Sequence, residues 1–324
     1  MANANLSAAK RAKNDEFYTR LQDVEKELIH YRSHFKGKTV FLNCDDPTHS
    51  AFWRHFHKLF DVYGLKKLIA THYEYDENVH SYAMVYEGGD DADASVGERI
   101  ELIGNGDFRS DECVAFLKES DIVVTNPPFS LFREYVAVLM EHEKKFLIIG
   151  NKNSISYKEF FPLLKSNEVW IGYNNPSEFD TPNGLTKKVQ GLCRWFTNLD
   201  IQKRHEDLFL SATYYKKDGS VPQTSFDRWP HYDNYDAIEV SKVKDIPVDY
   251  EGVMGVPITF LDKYNPEQFE VLGISGDLAE PFYQDGKRRS GRFYVNGKRL
   301  YDRIAIRARH PHPAGVPVVF DEYE

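Results

Sequence analysis

At 324 residues, with 41% hydrophobic and 28% charged side chains, the chain is long enough for one large core or two moderate ones and is too apolar to be disordered. A net charge of -9 argues against coating nucleic acid through bulk charge. Three scattered cysteines (Cys44, Cys113, Cys193) with no Cys-x-x-Cys pair argue against structural zinc and disulfides. His55 and His57, two apart on a helix, face different ways and suit no shared metal. No apolar stretch follows the basic N-terminal residues, and no run reaches roughly 18 apolar residues. A cytoplasmic protein with no membrane contact is expected.

In chain order, residues 14–35 read as a helix, with Asn14 as N-cap and Phe17, Leu21, Val24, Leu28 and Tyr31 at helical spacing. The β-favouring Phe17-Tyr18-Thr19 leaves its start open to an extended form. Thr39–Leu42 is a short apolar strand closed by the turn-prone Asn43-Cys44-Asp45-Asp46-Pro47. A helix follows with Phe52, Phe56, Leu59, Phe60 and Tyr63 along one side, then a strand over Leu65–Thr71. Residues 76–98, acidic and glycine-rich, read as an inserted surface loop. Strands at Arg99–Ile103, Asp121–Thr125 and Lys145–Ile149 alternate with helices at Asp111–Lys118 and Leu131–His142. Two of these strands are nearly continuous apolar runs, which predicts a parallel sheet covered on both faces. A helix over 156–165 and strands near 168–173 and 190–197 extend the pattern.

Beyond about residue 200 helical periodicity fades, and Pro, Tyr, Asp and Gly become frequent, as in Arg228–Tyr235. Residues 201–324 are therefore read as a second, irregular α+β unit with several short strands, separate from a catalytic domain at 1–200. Nine basic residues and one acid, Asp302, fall between Lys287 and Arg309. Such a patch binds phosphates by releasing counterions whatever the total charge is. Arg288, Arg289, Arg292, Lys298 and Arg299 are the candidate phosphate contacts in it, with Lys10, Arg11 and Lys13 as further candidates at the N-terminus. A solvated sheet edge is the bland alternative.

Ligands of an open parallel sheet sit at the carboxyl ends of its strands. There Asp121–Thr125 runs directly into Asn126-Pro127-Pro128-Phe129. Two prolines remove two backbone donors and hold the chain extended, so that neighbouring carbonyls can face outward. Asn126 adds a side-chain acceptor and Phe129 a flat apolar face. Such a set suits an exocyclic amine whose two hydrogens are accepted by the Asn126 oxygen and the Pro127 carbonyl. Those bonds strengthen as the nitrogen becomes tetrahedral in the transition state. If the amine is N6 of adenine, the base must leave the duplex to arrive.

The segment Val123–Val136 closely resembles the catalytic segment of EcoRI-type adenine-specific DNA methyltransferases. Asp15–Thr19, Asn43–Pro47, Gly106–Ser110, Phe146–Asn151 and Trp195–Leu199 are similar to the same family in the same order, and Gly255–Leu261 is similar to its C-terminal part. The resemblance implies a Rossmann-like class I methyltransferase sheet and a smaller irregular α+β target-recognition region. It also implies S-adenosyl-L-methionine as cofactor, double-stranded DNA as partner, and a monomer. Phe17, Tyr18 and Thr19 would lie against the methionine end of the cofactor, and Asn43, Asp45, Asp46 and Pro47 would hold its methionine and ribose. Asp107 would accept the hydrogens of its adenine amine and Phe108 would pack on that ring. Two positions depart from the common pattern. The loop after the first strand has no glycine, but Asn and Asp tolerate left-handed backbone better than other side chains, so a tight turn remains open to it. The acid that grips the ribose is either Glu74 or missing.

Cytosine C5 methylation, which needs a cysteine nucleophile commonly after proline, is disfavoured because Cys44, Cys113 and Cys193 follow Asn, Glu and Leu. Cytosine N4 enzymes more often carry Ser-Pro-Pro. An N-methyltransferase acting on RNA adenine or a protein glutamine is the alternative enzyme, and a binding module without cofactor is the non-enzymatic one.

Overall fold

The computed structural model describes residues 18–74, 80–89, 93, 96–181, 185–189, 191–314 and 316. Asn14, Phe17 and the N-terminal cations Lys10, Arg11 and Lys13 lie outside them. The chain forms two compact units, one of Met1–Ser154 with Val169–Ile201 and one of Ile155–Glu168 with Gln202–Glu324.

In the first unit the chain runs β1 (Tyr18–Thr19), α1 (Leu21–Leu28), β2 (Thr39–Leu42), α2 (Ala51–Lys58), β3 (Lys67–Thr71), β4 (Tyr82–Tyr86), β5 (Glu98–Glu101) and α3 (Asp111–Glu119). It continues with β6 (Ile122–Thr125), α4 (Phe132–Glu141) and β7 (Lys145–Asn151). After α5 (Phe161–Lys165), which belongs to the second unit, come β8 (Trp170–Ile171), β9 (Glu178–Asp180), β10 (Thr186–Lys188) and β11 (Cys193–Thr197). Eight strands make one mixed sheet in the order β5-β4-β3-β2-β6-β7-β11-β8. The central β3, β2, β6 and β7 are mutually parallel, while β4, β5 and β11 join antiparallel.

The central strands are buried from end to end apart from a few terminal positions, as their apolar runs require. Alternate side chains go to opposite faces. Val40, Leu42, Leu68, Ala70, Val124 and Ile149 pack with Val24 and Leu28 of α1 and Phe52, Trp53 and Phe56 of α2. On the other parity, Phe41 meets Phe116 of α3 at 6.2 Å between centroids and Phe196 meets Phe132 of α4 at 5.7 Å. Each such side chain contributes about 1.5–3 kcal/mol by leaving water.

Three departures from the sequence reading stand out. The helix expected over 14–35 begins at Leu21, because Tyr18–Thr19 pairs as a strand with β9. Part of the span read as a surface loop is β4, whose five residues are all buried beside β3. The edge of the sheet beyond β3 is thus an antiparallel pair, and among the described residues of this sheet only β3, β2, β6 and β7 pair in parallel. Among the described residues, no helix is long and apolar enough to cross a membrane.

The second unit centres on a four-stranded sheet, β12 (Ile238–Glu239), β13 (Met254–Pro257), β14 (Phe269–Ile274) and β19 (Arg303–Ala308), ordered β12-β13-β19-β14. Helix α5 packs on β14, so the segment expected to continue the first sheet belongs here instead. Across the sheet, Arg303 makes a forked ion pair with Glu239 (2.7 Å at the shorter Nη2 contact), and the Tyr232 hydroxyl donates to the same carboxylate. Two small hairpins follow β14: β15 (Phe282–Gln284) with β16 (Lys287–Arg289), and β17 (Tyr294–Val295) with β18 (Lys298–Arg299).

Candidate active site

Where β2, β3 and β6 end, one residue ties them together. Asn43 is 1% exposed, and its Oδ1 accepts from the Thr71 hydroxyl at 2.9 Å and from Cys44 N at 2.9 Å. Its carbonyl accepts the hydroxyl hydrogen of Thr125, the residue just before the tetrad. The Oδ1 and the carbonyl of Asn43 thus fix the strand ends. The left-handed turn that follows falls on Cys44 (φ 60°), not on Asn or Asp as expected. Burial pushes the Cys44 thiol well up, with Cys113 and Asp107 adding to it, so it stays a neutral thiol.

The next two residues are carboxylates with different partners. Asp45 accepts from the hydroxyl of Ser50, which in turn caps α2 by accepting from Trp53 N at 2.9 Å. Asp46 Oδ1 accepts from Thr48 N at 2.9 Å, the Thr48 hydroxyl at 2.8 Å and the Tyr82 hydroxyl at 2.8 Å. Burial alone would raise the Asp46 pKa, but those bonds and nearby His72 outweigh it and lower the value. Pro47 is buried behind them. Glu74 Oε2 lies 3.5 Å from His72 Nε2, and Glu74 N donates to Asn105 O at 2.8 Å.

Gly106 brings its loop against β3's end. Its φ is +78°, and a Cβ there would stand 1.9 Å from the His72 carbonyl, so no side chain fits. Asp107 is gripped by Arg109, whose Nε donates at 2.9 Å to Oδ1 and whose Nη2 donates at 2.7 Å to Oδ2. Arg109 also reaches Glu134 of α4 at 2.7 Å. Burial opposes ionisation of Asp107, yet these bonds hold its pKa below the ordinary value. Phe108 is 3% exposed, with its ring edge-on to Tyr135 at 5.0 Å, so it packs in the core.

The strand β1 arrives from the other side. Thr19 pairs with Phe179 of β9, and the Phe179 ring stands edge-on to Phe129 at 6.3 Å. Arg20 staples this arrangement, with Nη1 2.5 Å from Glu178 Oε2 and Nη2 2.8 Å from the Thr186 hydroxyl. Tyr18 stacks on His49 at 6.0 Å. Thr19 is 6% exposed, and among the described residues its Oγ1 has no hydrogen-bond partner. A buried orphan hydroxyl costs about 1–3 kcal/mol unless a ligand satisfies it. Asn126 is half-buried with its Oδ1 inside, Pro127 is buried, and Phe129 is half-buried and opens the turn into α4. Pro128, at φ -54° and ψ 125°, is extended, and the turn begins at Phe129.

The structure thus links β1 to Phe129 of the tetrad through Phe179, and places Asn43–Pro47 and Asp107 at neighbouring strand ends. Sequence reading missed Thr71 and Thr125, each the last residue of its strand, and it missed Arg109, two residues from Asp107. It also missed Phe179, which only the pairing of β1 with β9 brings to Phe129.

In the second unit Arg288, Lys298 and Arg299 are exposed, and Arg289 is half-buried with its Nε inside. Arg292 is half-buried and ion-paired with Asp302 at 2.9 Å, which competes with a role in DNA contact.

Comparison with family models matches residues 5–309 to the family described as adenine-specific methyltransferase EcoRI. Among curated proteins, the chain is similar to Type II methyltransferase M.EcoRI of Escherichia coli, 45% identical over 338 residues, with 94% of this chain and 96% of that protein covered. It is 38% identical to Type II methyltransferase M.MpnI of Mycoplasma pneumoniae over 332 residues, covering 94% and 98%. It is 37% identical to Type II methyltransferase M.MgeORF184P of Mycoplasma genitalium over 331 residues, covering 94% and 98%. No solved structure matches the chain.

Proposed function

Since the chain belongs to the adenine-specific EcoRI methyltransferase family and so methylates adenine in DNA, we propose that its donor is S-adenosyl-L-methionine and its acceptor the exocyclic N6 of a flipped adenine. The observation that carries this reading is the Asn126–Phe129 tetrad at the end of the central strand β6, together with the buried Thr19 hydroxyl, which has no hydrogen-bond partner among the described residues. The strand order around β2, β3, β6, β7, β11 and β8 supports a Rossmann-like class I methyltransferase sheet. Duplex DNA would be bound by the second unit, and a monomer would suffice to modify one strand at a time.

The residues present fit a cationic cofactor that carries hydrogen-bond donors. Asp46 and Asp107 are both held ionised at neutral pH, and Thr19 offers an unused hydroxyl. Tyr18, Thr19, Asp45, Asp46 and Asp107 would hold the group, with Asn43 shaping the loop from beneath. When bound, S-adenosyl-L-methionine supplies an electrophilic methyl group on a sulfonium.

The chain's own part is to make a poor nucleophile attack. The lone pair of N6 is delocalised into the ring. Asn126 Oδ1 and the Pro127 carbonyl accept the two amine hydrogens, and this favours the pyramidal nitrogen of the transition state. The Asn126 Oδ1 is shielded from water and Pro127 is buried, a setting in which such bonds gain strength. Phe129, steadied by Phe179, offers a ring face to the base.

Incubation with methyl-labelled S-adenosyl-L-methionine and unmethylated duplex DNA, followed by digestion to nucleosides, should place the label in N6-methyldeoxyadenosine. Label in a cytosine, or only in RNA or protein glutamine when those are supplied, would overturn the reading.

A further inference from the structure

The two hairpins after β14 share one turn chemistry. Asp285-Gly286 has φ of 49° and 70°, and Asn296-Gly297 has 50° and 75°. Two consecutive positive φ angles make a type I′ turn, which matches strand twist and gives a stiff two-residue loop. The β17–β18 hairpin is held from below. The Asp233 carboxylate accepts from Asn296 N at 3.0 Å and Gly297 N at 2.7 Å, and Phe293 lies 4.4 Å from the Tyr232 ring and 4.8 Å from the Tyr235 ring. The β15–β16 hairpin leans on this base. Phe282 meets Tyr294 edge-on at 5.1 Å, and the Gln284 side chain lies so close to Gly297 that a Cβ there would stand 3.1 Å from its amide nitrogen.

That packing fixes which side chains face out. Phe282 and Gln284 are half-buried inward, so Tyr283 and its cross-strand partner Arg288 share the opposite face. Tyr283 is 75% exposed, and Arg288 is exposed beside it. Five other cations of the basic cluster fall into two groups. Arg292, Arg303 and Arg309 bond to Asp302, Glu239 and the Pro266 carbonyl and serve the fold. Lys298 and Arg299 are exposed on the supporting hairpin.

We propose that the β15–β16 hairpin is a ribbon that enters a groove of duplex DNA, with Arg288 reading a base edge, Tyr283 packing beside it, and Lys298 and Arg299 gripping phosphates. This rests on the DNA reading above. A two-stranded ribbon fits the major groove, where arginine can donate two hydrogen bonds to guanine O6 and N7. A cation and an aromatic held in register on a stiff frame lose little freedom on binding. Concentrated positive charge on a chain of net charge -9 directs the polyanion to this ribbon.

The test uses the full chain. Sequencing of methylated DNA first gives the wild-type target, and kcat/KM is then measured on that target and on every single-base change of it. Arg288→Ala, checked for an unchanged melting temperature, should lower kcat/KM on the target at least tenfold and shrink discrimination at one base pair by a similar factor. Tyr283→Ala should lower it about threefold or more. The Lys298→Ala/Arg299→Ala double variant should weaken binding to all duplexes alike and reduce the salt dependence of binding. Equal weakening on every duplex by Arg288→Ala, or no change beyond twofold in both ribbon variants, would overturn the ribbon. Wild-type protein that leaves DNA unmethylated would instead sink the reading beneath it.

Discussion

The hydroxyl of Thr125 donates its hydrogen to the carbonyl of Asn43, so the residue that precedes the tetrad is tied to the first residue of the loop after β2. Both groups are buried. The two loops that would carry donor and acceptor are thereby held in one frame. Thr125→Val keeps the shape and removes the bond, leaving a buried carbonyl with one partner fewer. It should cost about 1–3 kcal/mol in urea unfolding and lower single-turnover rates more than cofactor affinity. Stability loss with an unchanged rate would make the tie structural only.

Asn126→Ala removes an acceptor whose bond strengthens during attack. Turnover should fall by about 100-fold or more, with cofactor affinity by calorimetry within about twofold of wild type. An active variant would show that the tetrad works through its backbone alone.

Cys44 holds a left-handed backbone where a side chain costs roughly 1–2 kcal/mol. Cys44→Gly relieves that cost and should keep cofactor binding. Cys44→Val adds a β-branch at the same φ and should weaken both cofactor binding and thermal stability. Equal behaviour of the two variants would refute a role for backbone strain.

His55 is 4% exposed and bonded to the Tyr63 hydroxyl at 2.9 Å; burial first, then Arg32 and Lys58, lowers its pKa from 6.5 to about 4. In the window between those values the unfolded chain binds a proton that the folded chain does not. Stability from this group is therefore full above pH 6.5 and is lost as pH falls toward 4, by about 3 kcal/mol at most. Urea midpoints measured across that range should fall with pH, and His55→Gln should flatten the slope.

Glu239 is 4% exposed and Arg303 is its forked partner. Glu239→Gln leaves a guanidinium without its counter-charge and should cost about 3–5 kcal/mol. By calorimetry the second unit should melt earlier, with DNA affinity lost before cofactor affinity. Simultaneous loss of both would show that the two units do not respond separately.

What could be read from sequence followed from how local the signal is. The tetrad was legible because two prolines interrupt an apolar strand at its end, and the central strands because their runs are apolar on both faces. The β4 strand was hidden by composition, since the glycines and acids around Tyr82–Tyr86 dominate any window that contains it. The roles of Asn43 and Thr125 depend on a bond spanning 82 positions, which no local pattern encodes. The turns Asp285-Gly286 and Asn296-Gly297 carried the strongest short-range hairpin signal in the second unit, but it was submerged in a region read as irregular. The packing of Phe108 on Tyr135 joins residues 27 positions apart and was likewise outside any local pattern.

The excursion Ile155–Glu168 restricts where this chain could be cut and rejoined with a relative. Its Ile155, Phe160, Phe161 and Leu164 are buried, and α5 packs on β14, more than a hundred positions further along. A crossover near residue 201 would pair one parent's excursion with the other parent's sheet and mismatch a core grown as one piece. Productive chimeras must carry the excursion with the C-terminal unit, so the heritable module is two segments of sequence. Expression of both chimera designs would show it, with soluble protein expected only when the two segments travel together.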